Sequence, residues 1–270
     1  MSDLTVIIPV FNALGPLANC LASLQQWAPG ADVLAIDDAS TDAGVALLLA
    51  DWQAAAPARR RVLSHEHNRG FVATVNAGMR SCQDDVLLLN SDTMVTEGSL
   101  AALQRCLRSA PDIATATPWS NNGEIVSFPE FCVANPVPAE PAALARAAAA
   151  SKRSDYPELL TAVGFCMAIA RRAIDQLGAF DEAAFGRGYG EENDFSLRAR
   201  AAGWRNVLCD DAYVVHLGGQ SFGPLGLRPD AASMARLLAR HPSYLDEISA
   251  WIKADPLAER RAALARALAG

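Results

Sequence analysis

The residue pattern predicts an α/β fold, a mostly parallel central sheet flanked by helices and followed by C-terminal helices. Three observations predict it. Short β-branched runs alternate with stretches whose leucines recur at helical spacing over residues 1–117. Residues 86–89, Val-Leu-Leu-Leu, are continuously apolar, as in a strand covered on both faces. Two strand-like runs end in polar clusters, Asp37-Asp38-Ala39-Ser40-Thr41-Asp42 and Asn90-Ser91-Asp92, which belong where open α/β sheets bind ligands.

The elements follow in order. Residues 4–10 read as a buried strand closed by Pro9 and a turn at Phe11-Asn12, and Leu14, Leu17, Leu21 and Leu24 then mark a helix. Residues 33–36 are a second strand. Residues 40–42 supply an N-cap for a helix running through Leu47 to Trp52. A weak strand at 62–63 precedes a helix over 72–79, and the strand at 86–89 precedes a helix over 100–107 and a strand over 113–117. Residues 118–141, rich in Pro, Asn and Ser, read as a long functional loop. An Ala-rich helix is expected over 139–152, a strand over 162–170, a short helix over 172–177 stopped by Gly178, and a glycine-rich loop over 180–190. Residues 191–202 form a helix with Gly203 past its end. A strand at 213–215 runs into His216, and two or three amphipathic helices begin at Pro229, with apolar positions at Met234, Leu237 and Leu238.

Composition narrows the function classes. Of 270 residues, 51% are hydrophobic and 20% charged, enough for a folded core. With 23 basic residues against 30 acidic ones, the net charge of −7 argues against a nucleic-acid-coating protein. No apolar run approaches the roughly 20 residues of a membrane span; the longest, 161–170, stops at Arg171 and Arg172. The N-terminal MSDLTVIIPVFN has no basic region before its apolar stretch and reads as a strand, so the expected location is the cytoplasm. Cys20, Cys82, Cys106, Cys132, Cys166 and Cys209 form no C-x-x-C pair and read as small buried hydrophobes of a reducing compartment.

Four places could carry chemistry. Asp37 and Asp38 can accept hydrogen bonds from a nucleobase or ribose, although a helix cap with acidic neighbours explains them as well. Asp92 is suited to a hard divalent cation, which prefers oxygen ligands and bridges to phosphates, yet a turn also uses such residues. Glu191, Glu192 and Asp194 open a helix behind a glycine loop. They exceed what capping needs, which favours a general base, while Asp194 and Arg198 also make an i,i+4 pair. His216 ends a strand before two glycines, where a neutral imidazole can complete a metal shell. No phosphate-binding Walker loop, G-x-G-x-x-G, G-x-S-x-G or H-E-x-x-H motif is present.

Taken in order, TVIIPVFN, DDASTD, HNRGFVATVNAGM, LLLNSDT, AVGFCMAIAR, GEENDFSLRARAAGW and VVHLGGQSF resemble a family 2 glycosyltransferase of GT-A type over residues 4–222. The resemblance implies a Rossmann-like nucleotide-sugar-binding half (1–117) fused to an acceptor and catalytic half (118–228), with a helical extension over 229–270. It implies inverting transfer with Mg²⁺ or Mn²⁺, from a UDP- or dTDP-sugar to a glycan or lipid-linked saccharide. Bacterial surface-polysaccharide and rhamnosyltransferase-like members are the nearest type.

Carried over by position, Pro9, Val10 and Asn12 line the nucleotide pocket. Asp37 and Asp38 hold base and ribose with Asn68, Arg69 and Gly70. Asn90 replaces the first Asp of the D-x-D motif, with Ser91 between it and the metal-binding Asp92, and His216 is the second metal ligand. Glu192 is the base where Asp is more usual, supported by Glu191 and Asp194. Donor selection falls to residues 119–128. Peripheral association with the inner face of the membrane and a homodimer are compatible with the resemblance. A sugar nucleotidyltransferase is a second reading, weakened because FNALGPL carries no basic residue. A non-catalytic glycan- or partner-binding module of degenerate transferase type is a third.

Overall fold

The computed structural model describes residues 4–151, 153, 155–186, 188–218 and 231–270. Nine strands form one sheet in the order β3-β2-β1-β4-β8-β6-β9-β5, with β7 pairing to β9. The N-terminal part is β1 (Leu4–Val10), α1 (Leu14–Trp27), β2 (Asp32–Asp37), α2 (Ala43–Ala54), β3 (Arg60–Ser64), α3 (Phe71–Arg80) and β4 (Asp85–Leu89). β1 pairs in parallel with β2 and β4, and β2 with β3, as helical crossovers require. The expected cap is present: the Asp42 carboxylate accepts the Gly44 N–H at 2.8 Å and starts α2.

The sheet is parallel through β1 to β4, as expected, and mixed beyond them. After β5 (Thr93–Val95), α4 (Ser99–Arg108) and β6 (Ile113–Trp119), the chain makes an excursion through a 3₁₀ turn (Glu124–Val126), α5 (Pro141–Ser151) and β7 (Glu158–Leu159). The excursion ends at the carboxyl end of β4, where Phe165 O accepts the Asn90 N–H at 2.9 Å. β8 (Cys166–Ile169) therefore runs back antiparallel to both β4 and β6. It is shorter than the strand expected over 162–170.

The last part is α6 (Arg171–Leu177), α7 (Glu182–Phe185), α8 (Glu191–Ala201), β9 (Arg205–His216) and three helices, α9 (Ala231–Arg240), α10 (Tyr244–Ala254) and α11 (Ala258–Ala269). β9 begins eight residues before the strand expected at 213–215. Its apolar pattern is interrupted by Asp210 and Asp211, both buried, which pair with Arg260 at 2.7 Å and Arg105 at 3.0 Å. A register shift between the Pro118–Cys209 and Trp119–Tyr213 pairs lets β9 leave β6 and pair with β5. The described residues after Val215 of the glycine loop are His216, Leu217 and Gly218; Gly219 to Phe222 lie outside them. The cysteines are free and buried except Cys132, which is exposed.

The core runs along both sheet halves, with Trp119, Tyr213, Phe185 and Phe195 among the largest fully buried side chains. α3 lies against β1 and β2. Gly78 permits the close approach, since a Cβ there would lie 2.6 Å from Ile7 Cγ2 and 3.1 Å from Ile36 Cδ1. Gly78→Ala gains about 1 kcal/mol of helix propensity but overpacks β-branched neighbours at about 1–3 kcal/mol. The expected outcome is a net loss of stability in urea unfolding, part of which Ile7→Val restores. Gly78→Ala more stable than wild type would contradict this packing.

Candidate functional site

The carboxyl ends of β1 and β2 make the first wall. Val10 O accepts the Asp38 N–H at 2.8 Å. Asn12, at φ 54°, knits the two ends together: its Oδ1 accepts the Thr41 and Asp42 N–H groups at 2.9 and 3.1 Å, and its own N–H donates to Ser40 Oγ at 2.8 Å. Asp37 Oδ1 accepts the Ser40 N–H at 3.0 Å. The buried Asp38 carboxylate accepts the Arg69 and Gly70 N–H groups at 2.7 and 2.8 Å, and Asn68 Nδ2 donates to the Asp38 carbonyl at 3.1 Å. Gly70, at φ 87°, occupies backbone space closed to most side chains where α3 begins. The structure thus brings Pro9, Val10, Asn12, Asp37, Asp38, Asn68, Arg69 and Gly70 into one loop cluster. Within it, Asp38 shapes the loop through backbone N–H groups.

The second wall is at the end of β4. Asn90 leaves the strand with its carbonyl accepting Thr93 Oγ1 at 2.6 Å, and Ser91 and Asp92 are buried behind it. The antiparallel pairing of β5 with β9 sets Thr93 opposite His216. Asp92 Oδ1 consequently lies 3.5 Å from His216 Nε2. The histidine is held on every side: its N–H donates to Asn121 Oδ1 at 2.9 Å, its carbonyl accepts Asn121 Nδ2 at 2.9 Å, and its ring stacks on Phe165 with centroids 5.1 Å apart. Nδ1 lies 2.6 Å from the Asn122 carbonyl. A carbonyl only accepts, so Nδ1 carries a proton and Nε2 faces Asp92, where it could turn a lone pair to a cation once deprotonated.

Burial lowers the His216 pKa, but the hydrogen bond and charge of Asp92, with the Asn122 carbonyl and Glu124, outweigh it, and the pKa rises above 6.5. Among the described residues no group of three or more His, Cys, Asp or Glu side chains is placed to hold a metal. A carboxylate and an oriented imidazole fit a cation that completes its shell with water and phosphate oxygens.

The third wall is the start of α8, whose N-cap Gly190 sits at φ 103°. Glu191 is buried and Glu192 partly so, and Oε2 of each is enclosed without a hydrogen-bond partner. Burial and the charge of Glu192 push Glu191 well above the usual carboxylate range. Burial also raises Glu192, while backbone N–H groups and a hydrogen bond from Glu191 hold it back. Of the pair, Glu191 is pushed up further than Glu192.

Asp194 is engaged in ion pairs. It is 1% exposed, and its oxygens take Arg198 Nε at 2.8 Å, His241 Nε2 at 3.0 Å and Arg240 Nη1 at 3.3 Å. Only the i,i+4 pair was legible in sequence; Arg240 and His241 arrive from α9, beyond any local pattern.

Two consecutive residues join the second and third walls. Phe165 bonds Asn90 and stacks on His216, and a Cβ at Gly164 would stand 3.7 Å from Glu192 Cγ. The Asp92–His216 pair and Glu192 therefore flank one dipeptide. Sequence reading missed Phe165 and the Asn121–Asn135 pairing, in which Asn121 Nδ2 donates to Asn135 O and Asn135 Nδ2 to Asn121 O, each at 3.1 Å. The Asn-rich composition of 118–141 was the signal for the latter.

Comparison with known proteins supplies the family. The model of glycosyl transferase family 2 matches residues 5–178, more than half of the chain, and the chain belongs to that family. Uncharacterised proteins of Mycobacterium tuberculosis and Mycobacterium bovis are 27% identical over 221 residues, covering 80% of this chain and 74% of theirs. The fold is similar to that of GalNAc-T7, solved with UDP, GalNAc and Mn²⁺, at a TM-score of 0.67 and 16% identity. That match covers 87% of this chain but 47% of the other, so this chain spans under half of GalNAc-T7. The mannosyltransferase PcManGT of Pyrobaculum calidifontis, in complex with GDP-Man and Mn²⁺, has a TM-score of 0.60 and 17% identity over 99% of this chain and 74% of its own. TarS of S. aureus, residues 1–349, has a TM-score of 0.56 and 18% identity over 89% of this chain and 72% of its own. These are GT-A folds, as the sequence implied.

Asp194 gives the site a stability test. Burial raises its pKa, but Arg198, His241 and Arg240 together bring it below the ordinary value. A depressed folded-state pKa contributes stability above the unfolded value of about 3.9 that is lost as pH falls through the folded one. Asp194→Asn is expected to cost about 1–3 kcal/mol at neutral pH, because its arginine partners are partly exposed. The deficit should shrink below about pH 4 in denaturant titrations. A deficit independent of pH would remove the ion-pair account.

Proposed function

We propose that this family 2 glycosyltransferase moves a sugar from a nucleoside-diphosphate donor, UDP- or dTDP-linked, to a hydroxyl of a glycan or lipid-linked saccharide, with inversion. The observation that carries the reading is the meeting of the Asp92–His216 pair and Glu192 across Gly164 and Phe165. A charged leaving group and a proton acceptor are needed on opposite sides of one reacting carbon, and the two walls offer sites for both. The UDP and GDP-Man complexes of structurally similar proteins support a nucleotide-sugar donor.

Each residue then has a task. Pro9, Val10 and Asn12 line the nucleotide, and Asp37 faces the base and ribose. Asp38 acts through Asn68, Arg69 and Gly70 by fixing their backbone. Asp92 and His216 would hold Mg²⁺ or Mn²⁺, which supplies positive charge against the diphosphate. Asn90 lowers the negative charge beside that diphosphate, and Ser91 spaces it from Asp92. Glu192 takes the proton from the acceptor hydroxyl, whose oxygen forms a bond to the anomeric carbon as the bond to the diphosphate oxygen breaks. Glu191 stays protonated and hydrogen-bonds Glu192, which raises the fraction of time the base is ionised and aimed.

Incubation with nucleotide sugars, acceptor saccharides and Mn²⁺ should release nucleoside diphosphate. Glu192→Gln is expected to lower kcat by about 10²–10⁴ with donor affinity retained, and wild-type turnover in that variant would refute the assignment. Because the Glu192 pKa is raised, the acid limb of kcat should lie above the ordinary carboxylate range near 4.5. A limb at or below that value would assign the proton elsewhere. Asp92→Ala should weaken Mn²⁺-dependent donor binding in titrations, and unchanged affinity would remove Asp92 from the cation site.

A further inference from the structure

We infer that Glu124 recognises the transferred sugar, accepting hydrogen bonds from its ring hydroxyls; this rests on the transferase reading above and adds a residue to it. Glu124 was not singled out by any motif. It opens the short 3₁₀ turn of the loop that crosses the site, directly after Asn122 and Gly123. Asn122 holds His216 Nδ1, and a Cβ at Gly123 would stand 3.1 Å from Phe165 Cε1, the ring stacked on that histidine. The loop therefore lies over the dipeptide that separates the cation pair from the base.

Its carboxylate interacts electrostatically with the groups on both sides. His216 attracts it from the cation side, and its charge reaches Glu192 on the base side and Tyr244, at the start of α10, beyond. In a single displacement, the ring being transferred occupies the space between the diphosphate and the base. A group facing both lies beside that ring rather than beside the nucleotide.

The side chain is also available. Glu124 is exposed to solvent, yet enclosure by the crevice raises its pKa while His216 draws it back. Among the described residues its carboxylate forms no hydrogen bond with the protein. Its backbone is pinned instead: φ is 48°, Ser127 N–H donates to its carbonyl at 3.1 Å, Val126 N–H to Gly123 O at 2.9 Å, and Gly123 N–H to Ser127 Oγ at 3.1 Å. A non-glycine residue in the left-handed region is uncommon, and here it fixes the backbone that carries an acceptor-only group beside the crevice. Vicinal hydroxyls suit the two carboxylate oxygens. Sugars bearing an acidic group are disfavoured beside Glu124 and Glu192.

The test separates sugar from nucleotide. Affinities for UDP and UDP-glucose, dTDP and dTDP-rhamnose, and GDP and GDP-mannose are measured by calorimetry with Mn²⁺, for the full chain and for Glu124→Gln and Glu124→Asp. In the pair that wild type binds, Glu124→Gln should leave the diphosphate within twofold and weaken the nucleotide sugar about tenfold or more, since a charge-assisted hydrogen bond is lost. Glu124→Asp should fall between. Each ratio is taken within one protein, so partial unfolding does not imitate the effect. An unchanged ratio overturns the inference while the transferase reading stands. A wild type that binds none of the pairs overturns both.

Discussion

The site depends on where Gly164 and Phe165 sit. Phe165 is 2% exposed, and its carbonyl is tied to the N–H of Asn90 at the end of β4. This bond fixes the start of β8 beside the cation wall and forces the strand to run antiparallel into the middle of the sheet. The ring then supports His216, and the missing side chain of Gly164 leaves ordinary van der Waals room for Glu192. A Cβ at 164 would make ordinary contact with the base at 3.7 Å, and a smaller residue at 165 would remove the ring that stacks on the imidazole. One dipeptide sets the separation of the two groups whose cooperation the chemistry needs.

The C-terminal helices stabilise that arrangement from outside. The family match stops at residue 178, before α8 and β9. α8 is then secured by Asp194 to Arg240 and His241, and Arg240 also reaches Asp181 at 2.6 Å. Arg200 pairs with Glu247 of α10 at 2.9 Å. On β9, Arg260 of α11 neutralises the buried Asp210. Buried carboxylates are costly unless paired, so the strand and helix that carry His216 and Glu192 need these arginines to be folded as they are. The extension is part of the same folded unit as the site.

Much of this was legible because the parallel half obeys local rules. β1, β2 and β4 are apolar runs, their polar ends fall at the carboxyl edge, and Asp42 caps α2 as its spacing suggests. The second half was read less well for a physical reason: its acids are buried by partners far along the chain. Asp210 and Asp211 broke the strand pattern of β9, and two of the three partners of Asp194 were not legible because they lie more than 40 residues away. The three-residue β5 and two-residue β7 are too short to show a period. Glu124 lay within the donor-selecting range 119–128 but was not distinguishable there, because a left-handed backbone held by Gly123 and Ser127 is not visible in the sequence.

The replacement at Asn90 makes sense once the crevice charge is considered as a whole. Asp92 borders the place proposed for an anionic diphosphate, and Glu124, Glu191 and Glu192 add acidic groups to the same crevice. A second aspartate at 90 would add repulsion there. The raised pKa of Glu191 favours its neutral form in the same space, and its cause is burial next to Glu192. In the proposed reaction the remaining acidic groups have separate duties: Asp92 would meet the cation with His216, Glu192 the hydroxyl proton, and Glu124 the sugar. A glutamate base pairs with this economy, because its longer side chain reaches past Gly164 from a helix start where backbone N–H groups favour the ionised form. With few charges in play, the affinity for the metal must come largely from the diphosphate itself, so donor and cation are expected to bind as a unit.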